Sequence, residues 1–258
     1  NWAFQYPKDE QGFVKYLLED QPEPPKYFAM MKKLNKVDRP LLTEVPKLKK
    51  LTAQEFTASM AKGVKVLDTR LKTDFAKGYI PGTINIQGNN SFGTWSGWFL
   101  SYDEPFILIA EESMLDDLTR KLMRIGLDNI YGYVEDVSVW TDSGNSLEKA
   151  ELVSIDELKG LLKEEKTQFV DLRGVAEYKA GHIQDTENIF IGTLEKNLDK
   201  IQKDNPVVIY CQAGDRASIG YSILKKHGFK NVKNYLGGVG EWVNKGNPVV
   251  TDEVLVPS

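Results

Sequence analysis

From Leu51 onward the chain spells nearly the same pattern twice, at a period of about 102 residues, so its fold must be one that can be built two times over. Leu51-Thr52-Ala53-Gln54-Glu55-Phe56 returns as Val153-Ser154-Ile155-Asp156-Glu157-Leu158. Each has a hydroxyl residue followed three positions later by an acid, the signature of a helix start. Val66 to Arg70 returns as Phe169 to Arg173, Phe75 to Ile86 as Tyr178 to Ile189, and Val137 to Trp140 as Val239 to Trp242. Pro105-Phe106-Ile107-Leu108-Ile109 returns as Pro206-Val207-Val208-Ile209-Tyr210. Both copies alternate short apolar runs with amphipathic stretches, which predicts an α/β fold with a largely parallel sheet flanked by helices in each.

The boundaries follow from the repeat. Residues 43–143 form the first copy and 144–258 the second, joined through the polar stretch Thr141-Asp142-Ser143-Gly144-Asn145-Ser146. Residues 1–42 belong to neither. There Asn1 to Tyr6 reads as a strand, Gln11 to Glu19 as a short helix, Pro22-Glu23-Pro24-Pro25 as a breaker and Lys26 to Leu34 as another helix. So short an arm cannot close a core by itself, and must dock on the repeats or on a domain that is absent.

Composition removes several function classes. A net charge of -4 argues against nucleic acid as a partner, because phosphate neutralisation needs a clustered basic face. No apolar run approaches the ~18 residues of a membrane span, and no basic-then-apolar leader is visible. The single cysteine excludes an internal disulfide and suits a reducing compartment, so a cytoplasmic protein is expected. Two histidines and one cysteine cannot build a convincing zinc or iron site, and no metal or cofactor is expected in this chain. Self-association stays open. Asn1 is not an initiator methionine, which leaves open that the chain is a piece of something longer.

The one cysteine stands at a telling place. The apolar run Val207 to Tyr210 ends at Cys211, and a short loop with Gly214 leads into a stretch with Ile219, Ile223 and Leu224 at helical spacing. Cys211 thus falls at the carboxyl edge of a strand and faces a helix amino terminus, where free N–H groups and the helix dipole favour an anion. Helix starts and nearby cations lower cysteine pKa values below the free value of about 8.5. A lone cysteine beside Val-Ile-Tyr is more often a small buried hydrophobe. Here Gly214 and Ala217 keep the loop bare, so that the amides of Gln212, Ala213, Gly214, Asp215 and Ala217 can converge on one anion. Arg216 adds a planar donor fork.

Cys211-Gln212-Ala213-Gly214-Asp215-Arg216 resembles the C-x-x-G-x-R active loop of rhodanese-type sulfurtransferases, and the resemblance extends over most of the chain. It implies two rhodanese-like domains, with Cys211 as nucleophile, Arg216 as the cation for a donor anion, and the loop around them as the substrate cradle. Asp171-Leu172-Arg173, Gly181-His182-Ile183 and Leu236-Gly237-Gly238 with Trp242 also resemble the family. They are expected to give structural support, with Asp171 and Arg173 bracing strand ends, His182 hydrogen-bonded and Trp242 packed. The family's G-H-I-P-G-A continues here as Gln184-Asp185-Thr186, a departure, whereas the first copy keeps Pro81-Gly82 and lacks the histidine. The implied reaction takes sulfane sulfur from thiosulfate or a low-molecular-weight persulfide and passes it to a thiol or cyanide. Its partners are small sulfur donors and thiol acceptors.

The first copy is disarmed. Ala110 stands where Cys211 does, followed by the acidic Glu111-Glu112-Ser113-Met114-Leu115-Asp116-Asp117, which repels an anion. By resemblance to two-domain rhodaneses this half would help wall the cleft, with Trp95 and Trp98 in the wall or simply packed. In the arm, Asn1-Trp2-Ala3, Pro24-Pro25-Lys26-Tyr27-Phe28, Met31 and Asn35 resemble the carboxyl tail of metallo-β-lactamase-fold persulfide dioxygenases. That implies a dioxygenase domain upstream, with non-haem iron there and not here. Two other classes stay open: a non-enzymatic persulfide-sensing or docking module, and a cysteine-dependent phosphatase, although those resemble Cys-x5-Arg and this loop is one residue tighter.

Overall fold

The computed structural model describes residues 9–18, 21, 23–38 and 44–251; the strand expected over Asn1 to Tyr6 and the Asn1-Trp2-Ala3 pattern lie outside them. Two short helices, α1 (Glu10–Leu18) and α2 (Lys26–Leu34), precede the repeats. The first repeat runs α3 (Ala53–Ala61), β1 (Lys65–Asp68), α4 (Lys72–Lys77), β2 (Ile84–Asn85), α5 (Phe92–Phe99), β3 (Phe106–Ile109), α6 (Leu115–Met123), β4 (Ile130–Val134) and α7 (Ser138–Thr141). The second runs α8 (Ile155–Leu161), β5 (Gln168–Asp171), α9 (Val175–Ala180), β6 (Glu187–Asn188), β7 (Val207–Tyr210), α10 (Asp215–Lys226), β8 (Val232–Tyr235) and α11 (Gly238–Asn244). Between β6 and β7 it has two 3-10 turns where the first repeat has α5.

Each repeat is one four-stranded sheet, ordered β2-β1-β3-β4 and β6-β5-β7-β8, with every pairing parallel. Parallel strands are covered on both faces, so they read as continuous apolar runs. All residues of β3 and β7 are buried. The period survives down to single bridges: Lys50 meets Tyr133 as Leu152 meets Asn234, and Tyr79 meets Glu148 as His182 meets Val250. Both opening helices carry complete capping boxes, Thr52 with Glu55 and Ser154 with Glu157. Such a box satisfies amides that the helix itself leaves open.

One face of each sheet has its own core, around Phe56 and Ile107 in the first repeat and Leu158 and Trp242 in the second. The other two faces meet. A single apolar cluster runs from Leu67, Phe75 and Tyr79 through Trp98 and Phe106 to Val170, Ile191, Ala217 and Tyr221. Tyr79 and Tyr221 cross edge to face at 6.1 Å, and Trp98 meets Phe190 likewise at 5.4 Å. Polar pins close the seam: the Asn85 amide donates to Ser222 Oγ (3.2 Å), and Ser218 Oγ donates to Asn85 Oδ1 (2.6 Å). The amino-terminal arm docks on the first repeat, where Tyr27 and Met31 join the shared core. Tyr27 lies so close over Gly97 that a methyl there would stand 2.4 Å from its ring.

Among the described residues, no helix is long and apolar enough to cross a membrane.

Candidate active site

The site is a strand end, a four-residue loop and a helix start. In the first repeat Asp68 is in register with Ile109, and in the second Asp171 is in register with Tyr210, so Ala110 and Cys211 occupy equivalent positions directly after the central strand. Both are 1% exposed. The sulfur of Cys211 accepts a hydrogen bond from the Gly214 amide at 3.1 Å, across the mouth of α10.

The neighbouring carbonyls explain how the loop is aimed. Those of Cys211 and Gln212 accept from the amides of Val239 (2.9 Å) and Gly240 (3.0 Å) in α11, and that of Ala213 accepts from Lys72 Nζ (2.6 Å). In a trans peptide the C=O and N–H point oppositely. The amides of Gln212, Ala213 and Gly214 therefore face away from α11 and Lys72, and the Gly214 amide is the one seen on sulfur. Two glycines allow this closeness. At Gly214, φ +89°, a Cβ would lie 2.4 Å from the Leu236 carbonyl oxygen; at Gly238, φ +63°, it would lie 2.3 Å from that of Cys211. A side chain at either would push the loop off its backing.

Arg216, in the first turn of α10, is already occupied. Its Nη1 and Nη2 donate to Glu177 Oε2 and Oε1 at 2.5 and 2.8 Å, a bidentate pair to α9. The hydrogen bonds from Arg216 hold the Glu177 carboxyl below the ordinary range, against the opposing effect of burial. Burial works against the charged guanidinium, yet its hydrogen bonds to Glu177 and the nearby charge of Cys211 keep it above the usual value. Glu177 also accepts from the Gly174 amide (3.1 Å), which closes the start of α9.

The remaining residues singled out in the sequence lie around this loop. Arg173 grips Asp171 through Nε (3.0 and 2.9 Å) and Nη2 (2.7 Å), with a further bond to the Gly181 carbonyl (2.7 Å). Its Nη1 reaches Gln212 Oε1 at 3.4 Å, which ties the brace to the loop. Asp68 and Arg70 repeat the grip in the first half. His182 stacks on Tyr178 at 3.7 Å and bonds the Tyr178 carbonyl through Nδ1. Trp242 packs beside Val239 and donates to the Pro248 carbonyl at 2.7 Å. Asp215 turns its carboxylate to the first repeat, accepting from Lys72 Nζ (2.6 Å) and Asn89 Nδ2 (3.1 Å). Ala217, in the first turn of α10, is fully buried.

A cavity of about 800 Å³ opens beside the loop. Its lining joins Trp95 of the first repeat, Phe190 and Ile189 of the second, Gln21 and Glu23 of the arm, and the Glu177–Arg216 pair. Trp98 instead is buried against Phe190. Cys211, 1% exposed, is not part of the lining, which reaches the loop only through Arg216. Sequence reasoning missed Glu177, Lys72 and Asn89. Glu177 carried one visible signal, its place three residues past Gly174 at a helix start; Lys72 and Asn89 carried none, because their partners stand in the other repeat. Among the described residues, no cluster of three or more His, Cys, Asp or Glu side chains is arranged to hold a metal ion.

Comparison with known proteins follows the same duplication. The model of the rhodanese-like domain matches residues 52–143 and again 154–245. The chain is 30% identical over 82 residues to the putative sulfur carrier protein YrkF of Bacillus subtilis, which is 32% of this chain and 44% of that protein. It is 34% identical over 89 residues to a sulfurtransferase of Allochromatium vinosum, 34% of this chain and 83% of that one. The chain thus spans less than half the length of the first of these relatives. Among solved structures, a metallo-β-lactamase from Staphylococcus aureus is 34% identical, with 52% of this chain and 37% of that one covered and a TM-score of 0.45.

Proposed function

Because the chain belongs to the rhodanese-like domain family, with that domain present twice, we propose that it is a sulfurtransferase whose second repeat carries sulfane sulfur on Cys211. The observation that carries the reading is the hydrogen bond from the Gly214 amide to the Cys211 sulfur, made in a loop whose Cys211, Gln212 and Ala213 carbonyls are bound by α11 and Lys72. A thiolate so placed is solvated by backbone dipoles that need no reorganisation when charge moves along an S–S bond.

The chemistry runs in two displacements. Thiolate attacks the outer sulfur of thiosulfate or of a low-molecular-weight persulfide; the new S–S bond forms as the old one breaks, and sulfite or a thiolate leaves with the electron pair. The Cys211 persulfide then gives its terminal sulfur to an acceptor thiolate or to cyanide, and Cys211 regains its thiolate. The loop amides hold the persulfide anion, and Arg216 is the cation for the donor's charged end. As written, the transfer needs no metal or cofactor from this chain, and it suits a reducing, cytoplasmic setting.

The first repeat acts as scaffold and wall, since Ala110 cannot bind sulfur. The arm pattern at Pro24-Pro25-Lys26-Tyr27-Phe28, Met31 and Asn35 supports a metallo-β-lactamase-fold persulfide dioxygenase domain upstream, which would hold the iron and share the persulfide pool.

Intact-mass spectrometry after exposure to thiosulfate tests the core of this reading. One added sulfur is expected on the native protein and none on Cys211→Ser, with thiocyanate produced from cyanide only by the former. A native protein that gains no sulfur, or a serine variant that gains as much, overturns it. Hydrolysis of a phosphotyrosine mimic without sulfur uptake would favour a phosphatase instead.

A further inference from the structure

The geometry points to Glu177 as the residue that sets donor charge selectivity, a built-in anion that holds Arg216 until a donor displaces it; this rests on the sulfurtransferase reading. The guanidinium is the cation of the Cys211 loop, and two of its N–H groups are spent on the Glu177 carboxylate at 2.5 and 2.8 Å. A sulfonate end, though pyramidal with three oxygens, can present two of them to the same guanidinium fork that the two carboxylate oxygens fill. Glu177 and donor therefore compete for one fork.

The pair also stands in the path. It lines the cavity of about 800 Å³, while Cys211 is 1% exposed and absent from the lining. A donor coming from the cavity meets Arg216 and Glu177 before it meets sulfur. Nor is Glu177 free to leave without cost, because the Gly174 amide holds the same Oε2 at 3.1 Å. Lys179 and Lys200 also line the cavity, so it is not devoid of positive charge, but neither is bonded to Glu177.

The consequence is a selection by charge. A fixed carboxylate beside the entry repels a dianion more than a monoanion, since Coulomb energy scales with the product of the charges. Thiosulfate, a dianion, should be handicapped relative to methanethiosulfonate, a monoanion that delivers the same outer sulfur and releases a sulfinate instead of sulfite. If Glu177 only held Arg216 in place, its loss would harm both donors alike.

The test measures KM and kcat of the whole chain with both donors, in the native protein, Glu177→Gln and Glu177→Asp. Glu177→Gln should lower KM for thiosulfate about tenfold, the scale of one charged hydrogen bond, and change KM for methanethiosulfonate by less than about threefold, the smaller shift expected of a single charge. Glu177→Asp keeps the charge and should keep the native ratio of the two KM values. A thiosulfate KM that is unchanged or raised in Glu177→Gln, or an equal change for both donors, overturns the assignment. If the native protein takes sulfur from neither donor, the sulfurtransferase reading itself fails. Uptake by the native protein with an unaltered donor ratio in Glu177→Gln overturns the charge selection alone.

Discussion

At Asp185 the backbone adopts φ 60°, the one left-handed conformation among the described residues other than glycine. In the first repeat the matching residue is Gly82, at φ +88°. The turn is thus the same in both halves and was written for glycine, and the second copy fills it with one of the few residues that tolerate it. Asp185→Gly should therefore stabilise the protein by up to about 1 kcal/mol, the left-handed penalty less the greater unfolded-state entropy of glycine. Urea unfolding measures it, and a loss of stability would mean that the Asp185 side chain contributes something the backbone argument omits. The departure at Gln184-Asp185-Thr186 was legible in the sequence, but its meaning was not, because φ is a property of the turn. The same holds for Arg216: its place in the loop was plain, whereas its partner, 39 positions earlier in the chain, follows no periodicity that a single sequence displays.

At the scale of elements, the Cys211 loop is held from two sides. Behind it, α11 binds two carbonyls through the Val239 and Gly240 amides; from the first repeat, Lys72 at the start of α4 binds the third and pairs with Asp215. The repeat, the strands and the Cys211 strand-loop-helix could be read directly, because alternation and helical spacing are local. The clamp could not, since it joins residues 141 and 143 positions apart. Lys72→Met would free the Ala213 carbonyl and let the loop relax from the arrangement that turns its amides inward. Persulfide formation should slow about tenfold, since small losses of alignment are expensive, with the cost in stability near 1–3 kcal/mol for one charged contact. Lys72→Arg should recover part of the rate. Rapid-quench mass spectrometry reads the first displacement; an unaltered rate in a folded Lys72→Met would relieve α4 of any part in the site.

For the molecule as a whole, the fused core decides how the halves depend on one another. The cluster from Phe75 and Trp98 to Tyr221 has no boundary at the linker, and α10, which begins at the Cys211 loop, packs its Ser218 and Ser222 against Asn85 of the first sheet. The first repeat thus supplies part of the bed on which α10 packs. Trp98→Ala lies far along the chain from Cys211 and removes only packing, at about 3–5 kcal/mol for a buried aromatic. If the core is one cooperative unit, that loss must appear in both sheets. Hydrogen exchange distinguishes the cases: amides of β3 and β7 should lose protection together and by equal free energy. Protection that falls in β3 and persists in β7 would make the halves independent folding units, and would leave the contacts of Lys72 and Asn89 with Asp215 as the link by which the first repeat serves the second.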